Sequence, residues 1–113
     1  MAQTRAAIRY AKAVLDLANE QNSASIVNGD MKSIVNAVAG SKDLSDMLQS
    51  PVINSVVKKA TLLEVFPGLN TLSAKLIDIL VKNKRINILD AVAQKINRLF
   101  DESQGIQIAK VTT

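Results

Sequence analysis

Apolar residues recurring at helical spacing, broken by polar and turn-forming residues, constrain this chain more than any other feature. The clearest stretch is residues 86–101, where Leu89, Val92, Ala93, Ile96, Leu99 and Phe100 form one helical stripe. Segments before it carry the same period. The spacing predicts a first helix from Thr4, as its N-cap, to about Glu20, followed by the polar hinge "QNSAS". A second helix uses Val27, Met31, Ile34, Val35 and Val38 and stops at Gly40, placed as its C′ residue. Ser41 caps a short third helix faced by Leu44, Met47 and Leu48, with Pro51 just past its end. Asn54 or Ser55 caps a fourth that uses Val57, Leu62, Leu63 and Phe66, and Pro67–Gly68 punctuates it. Thr71 caps a fifth over residues 71–82, "NKR" at 83–85 makes a polar corner, and Gly105 ends the sixth.

The core available to these helices is aliphatic. Apolar residues make up 48% of the chain but aromatic ones only 3%, which favours packed helices over a sandwich of strands. The expectation is an all-α six-helix bundle forming one domain over residues 1–105, and 113 residues suit a single hydrophobic core. The last segment, "IQIAKVTT", is β-branched and begins by alternating through Ile106, Gln107 and Ile108. It reads as a short orphan strand at residues 106–113. A lone strand cannot satisfy its own backbone, so it is expected to open a second, missing C-terminal domain.

Composition also removes whole classes of chemistry. Without cysteine there is no thiolate nucleophile or thiolate metal site, and without histidine no imidazole base or ligand. Asp43, Asp46, Asp78 and Asp90 are spread over helix surfaces with no pairing pattern, so neither enzyme activity, nor a metal, nor a cofactor is expected. The net charge of +4, with basic clusters "VKK" at 57–59 and "KNKR" at 82–85, keeps a basic helical nucleic-acid-binding module as an alternative. The shortage of stacking aromatics and the lack of a recognition-helix signature weigh against it. No run of 18 apolar residues and no signal-peptide pattern is present, so the reading expects a chain acting in the cytoplasm without inserting into a membrane.

Two helices carry more apolar surface than one core needs. On the first, Arg9, Lys12, Asp16, Asn19 and Glu20 share one side, while Ile8, Tyr10, Ala11, Ala13, Val14, Leu15, Leu17 and Ala18 fill the rest. That arc is roughly 200° wide, where a surface helix needs little more than ~100°. On the fifth, Lys75, Asp78 and Lys82 hold a narrow polar side against Leu72, Leu76, Ile77, Ile79, Leu80 and Val81. Either both helices are central in the bundle and buried nearly all round, or together they leave a shallow lysine-bordered groove for a partner's amphipathic helix.

Four stretches, in order, carry a family resemblance: "RYAKAVLDLA", "LSDMLQSPVINSVVKKATLLEVF", "LIDILVKNKRINILDAVAQKINRLFDE" and "IQIAKVTT". Together they resemble the delta subunit of F-type ATP synthases, related to the mitochondrial oligomycin-sensitivity-conferring protein. The family usually has N-G-R-L where this chain has Asn83, Lys84, Arg85 and Ile86, so Lys84 departs from its glycine. The resemblance implies a six-helix N-terminal domain that sits atop the catalytic head of the synthase. It would hold the N-terminal helix of an alpha subunit across its first and fifth helices. Carried onto this chain, that surface involves Tyr10, Ala13, Val14 and Leu17 with Leu72, Lys75, Leu76, Ile79 and Lys82, Leu76 being the member closest to a core position. The implied role is a non-catalytic stator part of the peripheral stalk, on the cytoplasmic side of a bacterial inner membrane. The b subunits would be reached through the missing C-terminal domain.

Overall fold

The computed structural model describes the backbone of residues 2–112 and the side chains of residues 5–103. Six α-helices follow one another: α1 (Ala2–Glu20), α2 (Ala24–Gly40), α3 (Lys42–Gln49), α4 (Ser55–Val65), α5 (Thr71–Lys82) and α6 (Leu89–Thr112). A single 3₁₀ turn, Ile86–Ile88, leads into α6. The all-α expectation therefore holds. Residues 106–113, expected as a strand, fall outside the described side chains, and the backbone through Thr112 is assigned to α6 rather than to a strand.

α6 packs most extensively on α1 and α2, and α5 lies against both α1 and α4. The core is made of aliphatic side chains, including Met31, Ile34, Leu48, Leu62, Leu76, Ile77, Leu80, Leu89 and Ile96, all essentially removed from water. α1 contributes Ala7, Ala11, Val14 and Ala18, a stripe that stays on one side of the helix. Its three alanines let neighbouring backbones approach closely without a bulky side chain between them.

The helix ends differ from expectation in ways that have physical causes. α1 begins at Ala2, so Thr4 lies inside the helix instead of capping it. Gly40 is the last helical residue of α2, and no described glycine adopts a positive φ. Ser41 closes α2 and opens α3 at once: its N–H donates to Val38 O (3.4 Å), and its Oγ accepts from Leu44 N (3.2 Å). One extended residue thus serves two helix ends, with no left-handed glycine between them. At α5 the cap is Asn70, not Thr71, because the Asn70 Oδ1 accepts from Leu72 N at 2.9 Å. Asp30 of α2 reinforces that end by accepting from Asn70 N (2.9 Å) and Ser73 Oγ (2.7 Å), a carboxylate against the positive pole of α5. The sixth element opens as the 3₁₀ turn before α6 proper, and Gly105 lies within the span of α6 instead of ending it.

Two helices stop on residues with left-handed backbone. After α1, Asn22 (φ 57°) sits in a Schellman closure, with Asn22 N donating to Asn19 O and Ser23 N to Ala18 O. After α5, Lys84 (φ 58°) does the same, with Lys84 N donating to Val81 O and Arg85 N to Leu80 O. α4 is the helix whose facing departs most from the periodic reading. Leu62 is buried, but Val57 and Leu63, expected on the core face, are exposed, as are Val52, Val56 and Val65. Lys58 takes the buried position instead, its ammonium donating to Leu48 O (3.1 Å) and Ser50 O (2.7 Å) at the end of α3.

Candidate functional site

The surplus apolar width of α1 divides into two flanks about its buried stripe. Turning at 100° per residue from Ala7, Ala11, Val14 and Ala18 puts Ile8 and Leu15 on one flank and Tyr10, Ala13 and Leu17 on the other. Ile8 faces a shallow cleft shared with Ala91, Gln94, Lys95 and Arg98 of α6. The opposite flank borders α5. There Asn83, the C-cap residue of α5, donates through Nδ2 to the Tyr10 hydroxyl at 2.8 Å. The bond uses the wet tip of the ring while the ring body stays half-buried against the core.

The nine residues carried over from the family divide by depth. Val14, Leu72 and Leu76 are buried, with Leu76 only 1% exposed, so they support the face from beneath and are closed to a partner. Tyr10 and Ile79 are half-buried, and Ala13, Lys75 and Lys82 are exposed. Leu17 is 41% exposed, a large aliphatic side chain left in water within two turns of the Tyr10 anchor. The members of the set that reach solvent are therefore Tyr10, Ala13 and Leu17 on α1 and Lys75, Ile79 and Lys82 on α5.

An ion-pair cluster lies on α5. Asp78 of α5 receives Lys59 Nζ from α4 at 2.7 Å and Lys82 Nζ from its own helix at 3.1 Å. The Lys59 hydrogen bond, and then that of Lys82, hold the Asp78 carboxyl below its ordinary value. The cluster ties α4 to α5 and half-neutralises Lys82. Among the described residues, Lys75 joins no ion pair, so it is the rim lysine whose charge is not already matched. Sequence spacing could not have found this cluster, since Lys59 and Asp78 lie 19 residues apart and on different helices.

The same contacts remove part of the basic surface that a nucleic-acid reading needs. Of "VKK", Lys58 is buried against carbonyls and Lys59 is paired with Asp78. Of "KNKR", Lys82 is paired as well. Among the described residues no cluster of acidic side chains could hold a metal ion, and no helix is long and apolar enough to cross a membrane.

Comparison with known proteins identifies the family. A family model described as ATP synthase delta (OSCP) subunit matches residues 6–113. The chain is 53% identical, over its whole length, to the ATP synthase subunit delta of Flavobacterium johnsoniae, covering 64% of that protein. It is 51% identical to the subunit of Christiangramia forsetii, covering 61% of it. It is also 34% identical to the chloroplastic subunit of Ochrosphaera neapolitana, of which it again covers 64%. The chain thus spans a little under two thirds of these relatives. A family match across nearly all its residues, on a six-helix bundle, leaves one assignment: the chain belongs to the ATP synthase delta (OSCP) subunit family.

Proposed function

We propose that this chain is the head-clamping part of the peripheral stalk of a rotary ATP synthase, binding the N-terminal helix of an alpha subunit on the outer face of α1 and α5. A rotary machine needs a stator, because torque from the rotor otherwise turns the catalytic head with it. The task is mechanical, with no bond made or broken by this chain. Contact with the b subunits would fall to the part of the relatives' length that this chain does not span, and the assembly would sit on the cytoplasmic side of the membrane.

The observation that carries the reading is Leu17, 41% exposed on the flank of α1 that borders α5. Covering it, with Ala13 and the exposed parts of Tyr10 and Ile79, removes apolar surface from water, and a fully buried leucine contributes about 1.5–3 kcal/mol. Apolar contact is little weakened by salt and suits a joint that has to resist dissociation under load. Lys75, unpaired on the rim, would steer an acidic or amphipathic helix into register.

Titration with a peptide of the alpha subunit's N-terminal segment tests this. Leu17→Asp is expected to abolish binding while the helical circular dichroism is unchanged, since the side chain already lies in water. Unaltered affinity of that variant, together with unaltered affinity of Ala13→Asp, places the partner elsewhere and overturns the reading.

A further inference from the structure

A second region, away from the α1–α5 face, gathers positive charge without a matching carboxylate. The end of α3, the start of α4 and the turn before α6 enclose a cleft of about 360 Å³ lined by Lys58, Lys84, Ser50, Ser55 and Asn87 among others. No acidic residue lines it. Gln49 Nε2 donates to Asn87 O at 2.7 Å and ties one wall to the other.

Three features of this cleft bring positive charge to it. Lys58 is only 6% exposed, and among the described residues no carboxylate pairs with it. Its ammonium has three donors, of which Leu48 O and Ser50 O take two, so one N–H is left for the cleft. An anion in the cleft can accept that remaining N–H. Lys84 presents a second ammonium from a left-handed residue at φ 58°, where glycine is the default because a Cβ is disfavoured. Strained backbone of this kind concentrates where a side chain has a task. The third contribution is the N-terminus of α4, an 11-residue helix whose first residue is Ser55. Ser55 lines the same cleft as the two lysines, at the positive pole of a helix whose Val56 N–H is already bound by the Asn54 side chain.

We propose that this cleft binds a phosphate group, held by the Lys58 and Lys84 ammonium groups and the Ser55 hydroxyl. A tetrahedral dianion matches two cations and several small donors better than a single carboxylate does, since it brings more acceptor oxygens to the site.

The test is an amide chemical-shift titration of the chain with inorganic phosphate, ionic strength being held constant with chloride. Saturable shifts are expected at Ser55, Lys84 and Asn87. Lys84→Gly should raise the dissociation constant about tenfold, the effect of losing one charge-assisted hydrogen bond, while raising the melting temperature by relieving the left-handed lysine. Lys58→Met should weaken binding further where it folds, and Lys84→Gly decides the matter if it does not. A parallel titration with AMP separates the sources: tighter binding than phosphate assigns a phosphate carried on a nucleotide, and equal or weaker binding assigns the free ion. Shifts that fail to saturate, or a Lys84→Gly chain that titrates like the parent, overturn the site.

Discussion

The α1–α5 pair carries apolar residues on two sides, and what covers each side differs. Inward, Val14, Leu72 and Leu76 meet the aliphatic core and are closed to water. Outward, Ala13 and Leu17 lie open, with Tyr10 and Ile79 half-covered between them. Both sides are apolar, and both carry leucine. What separates them is position: the inward residues lie under neighbouring helices, and among the described residues the outward ones are left partly or wholly in water. An apolar face that the fold leaves uncovered is available to another molecule, and one that it covers is not.

Truncation should separate the two sides most sharply. Leu76→Ala removes a core side chain at a site the surrounding helices cannot fully collapse onto. It is expected to cost about 2–5 kcal/mol in denaturant unfolding. Leu17→Ala, the same chemical change on the other side, should stay within about 0.5 kcal/mol of the parent. A Leu17→Ala loss comparable to that of Leu76→Ala would erase the distinction and return the outward residues to the core.

The smallest expected effect concerns the ion pairs on α5. Lys59 and Lys82 hold the Asp78 carboxyl below its ordinary value, so the folded chain binds that proton less tightly than the unfolded chain does. The stabilisation is present above the unfolded value and is lost as pH falls through the lower folded one. The melting temperature of the parent should therefore exceed that of Asp78→Asn at neutral pH, and the gap should close on acidification. A gap that persists at low pH would mean that the ion pairs do not stabilise the α4–α5 contact. The solvent exposure of the cluster keeps the whole effect modest.

Much of this architecture was legible in the residues. Six periodic segments gave six helices, and the Ser41 and Asn54 caps stand where side-chain oxygen was expected to meet a free N–H. Facing was legible where the apolar stripe was narrow, as in α6, and failed on α4. There Val57 and Leu63 have apolar side chains at usable positions, yet the helix turns Lys58 inward because its ammonium meets the carbonyls closing α3. At the candidate site, the width of the α1 arc showed that a surplus existed but not which part of it was covered. Val14 and Leu17 are three residues apart on one helix, and only the packing of the other helices around α1 puts one beneath the surface and the other on it.

The two Schellman closures divide the matter in the same way. Asn22 is a residue type that tolerates left-handed backbone, so its role follows from its own chemistry. Lys84 is not such a type, and nothing local favours it there. The sequence by itself determined the helices, most of their ends and the aliphatic composition of the core, because period, capping and side-chain volume act over a few residues. The tertiary structure alone decided which apolar flank stays open, which lysine is buried and which carboxylate binds two lysines, because these depend on atoms brought together from distant parts of the chain.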